Sequence, residues 1–221
     1  MCFILGGLLI IVIVIGIAIG VVSGHGSPIF NGTQTQYYCG DNLDETACEE
    51  QQQVAAEAEL VASESPRIEV VLGNGCFWER QYAYTMLEYE DPAFDRNLYN
   101  VTARCGYAGS LSVGNDGLVC YHHSGGDQTD IYSNLGHSEG VSVWLESADA
   151  DAQFTVLIQD FLDSFVYSSS KGGNQRPDPG DKGAEYRSFL VLPGGMDSSF
   201  YQTAVALNSQ KTHPLDFVAG L

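Results

Sequence analysis

The stretch Ile68–Tyr82, IEVVLGNGCFWERQY, decides how this chain is read. An apolar run from Ile68 to Leu72 has strand character and breaks at Gly73-Asn74-Gly75, a turn signal. The turn delivers Cys76 to a helix start, with Phe77 and Trp78 directly behind it. Backbone N–H groups and the helix dipole favour a thiolate at such a place. At an unperturbed pKa of about 8.5 only a few per cent of a thiol is ionised at neutral pH, so any lowering adds reactive thiolate. These residues alone leave two readings of Cys76, a nucleophile and a buried structural cysteine. Phe77 and Trp78 by themselves read as core aromatics.

Outward from this stretch, residues 68 to 72 read as a strand and 76 to 90 as a helix. Strands are expected at 98 to 107, 137 to 145 and 185 to 192, and further helices at 151 to 165 and 197 to 209. That order, β-α-β-β-α-β followed by α, predicts an α/β (α+β) domain on the ferredoxin-like split plan with an additional C-terminal helix. In that plan the strands lie 4, 1, 3, 2 with antiparallel neighbours, so the ends of strands 1 and 2 meet the starts of strands 3 and 4 at one edge. The points that meet are Cys76-Phe77-Trp78, Tyr107, His137 with Glu139, and Asp181 to Tyr186. Glu139 shares strand parity with Val141 and Val143, which points its carboxyl toward the apolar face. Desolvation there would raise its pKa and suit it to giving up a proton near neutrality. Tyr107 and Tyr186 offer phenolic donors, though tyrosines at strand ends also serve as packing residues with a wet tip.

Composition bounds the partners. Among 221 residues, 9 Lys and Arg stand against 28 Asp and Glu, a formal net charge of -19. Such a surface repels nucleic acid, so a nucleic-acid partner is not expected. The cysteines, Cys2, Cys39, Cys48, Cys76, Cys105 and Cys120, show no paired zinc spacing, and no metal site is expected; His122 and His123 beside Cys120 are adjacent and do not easily face one ion. Residues 1 to 22, MCFILGGLLIIVIVIGIAIGVV, are long and apolar enough to be a signal anchor, with cleavage near Gly24 as the alternative signal-peptide reading. Residues 23 to 66 read as an acidic stalk. Two acceptor sequons, at Asn31 and Asn100, suit a glycoprotein whose domain faces a lumen or the exterior. The expected setting is therefore the secretory pathway, either membrane-anchored or secreted.

Four motifs carry a resemblance: GCFW at 75 to 78, GYAG at 106 to 109, YSNLGHSEGV at 132 to 141 and DKGAEYRS at 181 to 188. Together they resemble the peptide methionine sulfoxide reductases of the A type, over residues 67 to 212, with 213 to 221 left as a tail. The resemblance implies a redox-active Cys76 that attacks the sulfoxide sulfur and becomes a sulfenic acid. It implies an apolar wall of Phe77 and Trp78, proton donation by Glu139, hydrogen bonds from Tyr107 and Tyr186, and a supporting Asp181. The implied substrate is methionine S-sulfoxide in peptides and as the free amino acid, a protein-repair role under oxidative stress. No bound cofactor is implied; an external thiol, a thioredoxin-like protein or dithiothreitol, serves as reductant. A monomer is expected.

The chain departs from that pattern in Glu79 after the aromatic pair, in the long loop SLSVGNDGLVCYHHSGGDQTDI at 110 to 131, and in a tail without cysteines. Cys105 is expected to be a buried inert thiol, and Cys39 and Cys48 to pair with each other. Cys120, in the loop that begins and ends beside Cys76, is the candidate resolving cysteine. Two other readings are a non-catalytic module that binds methionine-containing surfaces and a redox-sensing thiol protein.

Overall fold

The computed structural model describes residues 2–4, 19–22, 66–115, 117–122, 128–176, 178 and 180–219. Its centre is strand β3 (Arg67–Gly73), preceded by the short strands β1 (Cys2–Ile4) and β2 (Ile19–Val22). Helix α1 (Phe77–Glu90) follows, running through fourteen residues with neither Gly nor Pro and ending before Asp91-Pro92. Then come β4 (Arg104–Ala108), β5 (Leu118–Cys120), β6 (Ser138–Glu146), α2 (Ala150–Asp163) and the hairpin of β7 (Val166–Ser168) and β8 (Gly173–Gln175). Strand β9 (Phe189–Val191), α3 (Ser199–Ser209) and β10 (Phe217–Ala219) close the chain. Ser198 caps α3 by accepting from the Tyr201 amide at 3.1 Å. Among the described residues this makes a mixed α/β fold with three helices packed on a sheet whose core strands are antiparallel.

The principal sheet has the order β10-β2-β9-β3-β6-β4. Its four strands from β9 to β4 pair antiparallel, whereas β2 and β10 add to the β9 edge by parallel pairing. These two strands make the sheet larger than the split plan, and β10 falls within the residues read as a tail. On one face Val70, Leu72, Val141, Val143 and Leu145 meet Tyr84 of α1, Phe154 and Phe161 of α2 and Phe200 of α3. Gly73 and Gly140 face the other way, where the Phe189 ring crosses them. A Cβ at Gly73 would stand 2.0 Å from that ring, and one at Gly140 2.8 Å. Close approach, not flexibility, is what Gly73 supplies.

Two expected strands are shorter than read. The stretch from 98 to 103 is not strand, because Arg96 and Glu88 form a buried ion pair that claims its backbone. The Glu88 carboxylate accepts from the Thr102 amide at 2.5 Å, and Arg96 also reaches Thr102 Oγ1 and the Trp144 carbonyl. Residues 185 to 188 leave the fourth core strand because Ala184–Tyr186 form a single 3₁₀ turn. The expected anchor falls on residues mostly outside those described, and the stalk from 23 to 65, Asn31, Cys39 and Cys48 lie wholly outside them. Among the described residues no helix is long and apolar enough to cross a membrane.

The second sheet face holds a titratable group. Glu69 is buried, and its carboxylate accepts from Ser142 Oγ at 2.5 Å. Burial outweighs that bond and pushes its pKa up to about 7, against 4.5 ordinarily. Between those two values the folded state holds more protons than the unfolded, so stability is full below the ordinary pKa and falls as pH rises through about 7. The loss across that window is expected to be roughly 3 kcal/mol at most. Glu69→Gln should flatten it in urea titrations run at pH 5 and pH 8. An equal slope in both proteins would show that Glu69 does not carry the effect.

Candidate active site

The sheet brings the four expected points to one edge. In the ladder Tyr107 stands directly opposite Glu139 and Gly73 opposite Phe189, so the end of β3, the end of β4 and the starts of β6 and β9 converge. Gly75, with φ +81°, turns the chain from β3 into α1. Asn74 between the glycines is buried and ties the turn at both sides: its amide donates to Ser164 Oγ at 2.5 Å, and its carbonyl accepts from Ser188 Oγ at 3.2 Å. Cys76 then sits at the N-cap of α1.

Glu139 is 1 % exposed, and its two oxygens are engaged separately. Oε2 accepts from the Phe77 amide, the nitrogen that joins Phe77 to Cys76, at 3.0 Å. Oε1 accepts from the Tyr132 hydroxyl at 2.9 Å. Burial raises the Glu139 pKa, the two hydrogen bonds pull it down, and the carboxylates of Asp181 and Glu185 push it up again. The net direction is up.

The Cys76 thiol does not behave as the helix start alone suggests. Burial lifts its pKa, and Glu139 and Asp181 add to the lift, while the Trp78 and Glu79 amides oppose it. Burial is the largest contribution and outweighs the helix-start amides, so the resting group is a thiol. That thiol lies beside the Asp181 carboxylate, and each shifts the other's pKa. Asp181 is itself raised, chiefly by burial and by Asp178, with Cys76 and Arg176 opposing. Arg176 donates to the Asp181 carbonyl at 2.8 Å.

An aromatic box surrounds this edge. Phe77 stacks on Trp78 at 6.1 Å between centroids and lies 5.8 Å from Tyr107. Tyr121 is 6.0 Å from Phe77, 5.8 Å from Trp78 and 5.8 Å from Tyr132, and Tyr107 stacks on Tyr132 at 4.7 Å. The box grades from buried Phe77 and Tyr107 to Trp78, 61 % exposed. The Tyr186 hydroxyl lies beside that of Tyr132, and each shifts the other's pKa. The 3₁₀ turn that carries Tyr186 is held by Ser138, whose hydroxyl donates to the Ala184 carbonyl at 2.8 Å. Arg187 stitches the same region to the Gly109 and Gly136 carbonyls, and buried His137 bonds the Ser112 carbonyl through Nε2 at 2.8 Å.

All seven expected site residues, Cys76, Phe77, Trp78, Tyr107, Glu139, Asp181 and Tyr186, therefore belong to one edge. Sequence reading missed Tyr132 and Tyr121. Tyr132 opens a quoted motif, but it reaches Glu139 only because the turn closed by His137 N to Tyr132 O folds it back, with Gly136 at φ +81°. Tyr121 has no local signal at all; the long loop delivers it. Glu79 is exposed and accepts from Arg80 at 2.9 Å, away from the box.

Cys120 is a different object from the free thiol expected. It is fully buried and disulfide-bonded, with Cys2 opposite it in the backbone register of β1 and β5. A disulfide has no S–H to condense with a sulfenic acid. Its amide donates to the Asp130 carbonyl at 2.7 Å and its carbonyl accepts from Tyr132 at 2.9 Å, so it holds Tyr121 and Tyr132 side by side. Among the described residues the free cysteines are Cys76 and Cys105. Cys105 donates to the Phe77 carbonyl at 3.3 Å, and burial pushes its pKa up to about 12.

Tyr132→Phe removes a bond that favours the charged form of Glu139, so the Glu139 pKa is expected to rise further. The carboxyl stretch in infrared difference spectra against pH reads this directly, and an unmoved or lowered transition would dissociate Tyr132 from Glu139.

No family model matches the sequence, and comparison with curated proteins finds no match. Among solved structures the chain is similar to methionine sulfoxide reductase A of Corynebacterium diphtheriae, at 16 % identity and a TM-score of 0.42, over 66 % of this chain and 56 % of that one.

Proposed function

We propose that this chain reduces the S epimer of methionine sulfoxide, in polypeptides and as the free amino acid, to methionine. The observation that carries the reading is a free thiol beside the Asp181 carboxylate, one residue from a second carboxyl, Glu139, that burial inclines to keep its proton. The aromatic box offers the apolar surface that a thiomethyl group needs, and the four motifs resemble the A-type reductases at the same residues.

In this reading the methyl group of the substrate lies against Phe77 and Trp78, and the sulfoxide oxygen faces Glu139, Tyr186 and Tyr107. Cys76 reacts as the thiolate, having lost its proton past Asp181, and its sulfur attacks the sulfoxide sulfur to form an S–S bond. Glu139 protonates the oxygen, which passes from the substrate sulfur to the Cys76 sulfur as the S–S bond breaks, so the substrate loses its S–O bond and Cys76 gains one. The Cys76 sulfur gives up two electrons and the substrate sulfur gains them, leaving methionine and a cysteine sulfenic acid. Two equivalents of an external thiol then return the sulfenic acid to the thiol, releasing water and a disulfide. Cys120, being disulfide-bonded, could take part only through prior exchange. The two sequons support a secretory setting for this chemistry.

The test is the full chain with dithiothreitol on the separated epimers. Methionine is expected from the S epimer and none from the R epimer; equal rates, or no turnover of either, would overturn the reading. Trp78→Ala is expected to raise KM for the S epimer by about tenfold through lost apolar contact, with the fold intact because the ring is mostly exposed. An unchanged KM and kcat would place the ring outside the substrate wall.

A further inference from the structure

The solvent face of α1 carries large aromatics in a row. Trp78, Tyr82 and Tyr89 are 61 %, 69 % and 48 % exposed, whereas Phe77, Tyr84 and Glu88 of the same helix are buried. At about 100° per residue, Tyr82 and Tyr89 fall within about 40° of Trp78 around the axis, and roughly 120° from the centre of the side that Phe77, Tyr84 and Glu88 bury. Single exposed aromatics are ordinary, but three aligned on one helix face mark an interaction surface. Trp78 belongs to both the strip and the aromatic box, so the strip begins at the mouth of the candidate site. At about 1.5 Å per residue it then runs roughly 16 Å away from Cys76.

We infer that this strip docks the polypeptide that flanks an oxidised methionine, as an extended segment of about five residues, since that many residues at about 3.3 Å each match its length. The inference rests on the reading of Cys76 above and deepens it: free sulfoxide uses the box alone, and polypeptide uses the box and the strip. The occupant is apolar and neutral or basic, because the chain carries a net charge of -19 and Asp178, Asp181 and Glu185 crowd the region around Cys76 and Glu139.

The experiment compares the full chain with its Tyr82→Gln/Tyr89→Gln variant. Substrates are capped methionine S-sulfoxide and peptides that extend it by one to seven Ala and Leu residues on the N-terminal side or on the C-terminal side. For the parent, kcat/KM is expected to climb about tenfold along one flank and level off near five residues. In the variant that climb should vanish while the capped single residue is turned over as before. Absence of any length dependence in the parent, or its full retention in the variant, overturns the inference. So does a variant that sediments as a monomer where the parent is a dimer with length dependence unchanged, since the strip would then join copies of the chain. If the parent fails on the capped residue itself, the reading of Cys76 has failed and the inference falls with it.

Discussion

Cys76→Ser is expected to abolish multiple turnover of the S epimer while leaving the protein folded. A hydroxyl is a far weaker nucleophile than a thiolate and cannot store the oxygen as a sulfenic acid, so both halves of the cycle stop. The substitution separates chemistry from stability unusually well. Cys76 occupies an N-cap that makes no side-chain capping bond, and Ser is a preferred N-cap residue, so Tm should hold or rise. The measurement is methionine release under excess dithiothreitol beside a thermal melt. Turnover above the uncatalysed rate in a variant with unchanged Tm would remove Cys76 from the mechanism.

Glu139→Gln is the second large effect, a fall of roughly 10²- to 10⁴-fold in the single-turnover rate of methionine formation, the range typical of a lost general acid. The pH profile makes the role specific. Burial raises the pKa of both Glu139 and Cys76, and the reacting form holds one proton between them on Glu139. Below the lower apparent pKa both groups are protonated and no thiolate exists; above the upper one both are ionised and no acid remains. The parent should therefore show a bell whose limbs belong to the pair. Gln keeps its N–H donors at all pH and removes one of the charges that lift the Cys76 pKa, so the alkaline fall should disappear and the remaining rate should climb with thiol ionisation at a lower pH. A loss smaller than about fivefold, or a persistent alkaline limb, would move proton donation to another residue.

Much of the site was legible because its chemistry lies at strand ends. The alternation that pairs Glu139 with Val141 and Val143 gives the face, and the antiparallel order gives the edge; Tyr107 indeed stands opposite Glu139 in the ladder. Local rules failed where a tertiary contact overrode them. The Thr102 amide would serve a strand, but it satisfies a carboxylate that is wholly buried at the far end of α1 and has no water to turn to. The Cys76 pKa moves up for the same kind of reason, since a helix start is visible in sequence and the burial around it is not.

By itself the sequence determined the helices and core strands, the turn at Gly73-Asn74-Gly75 and the convergence of Cys76, Tyr107, Glu139, Asp181 and Tyr186, because periodicity and turn chemistry act within a few residues of one another. Only the tertiary structure decided that Tyr121 and Tyr132 join the box, that Cys120 is a buried strut and not a free thiol, and that the thiol pKa moves up. Each of those depends on what the chain brings back from far along its length, and on how much water it then excludes.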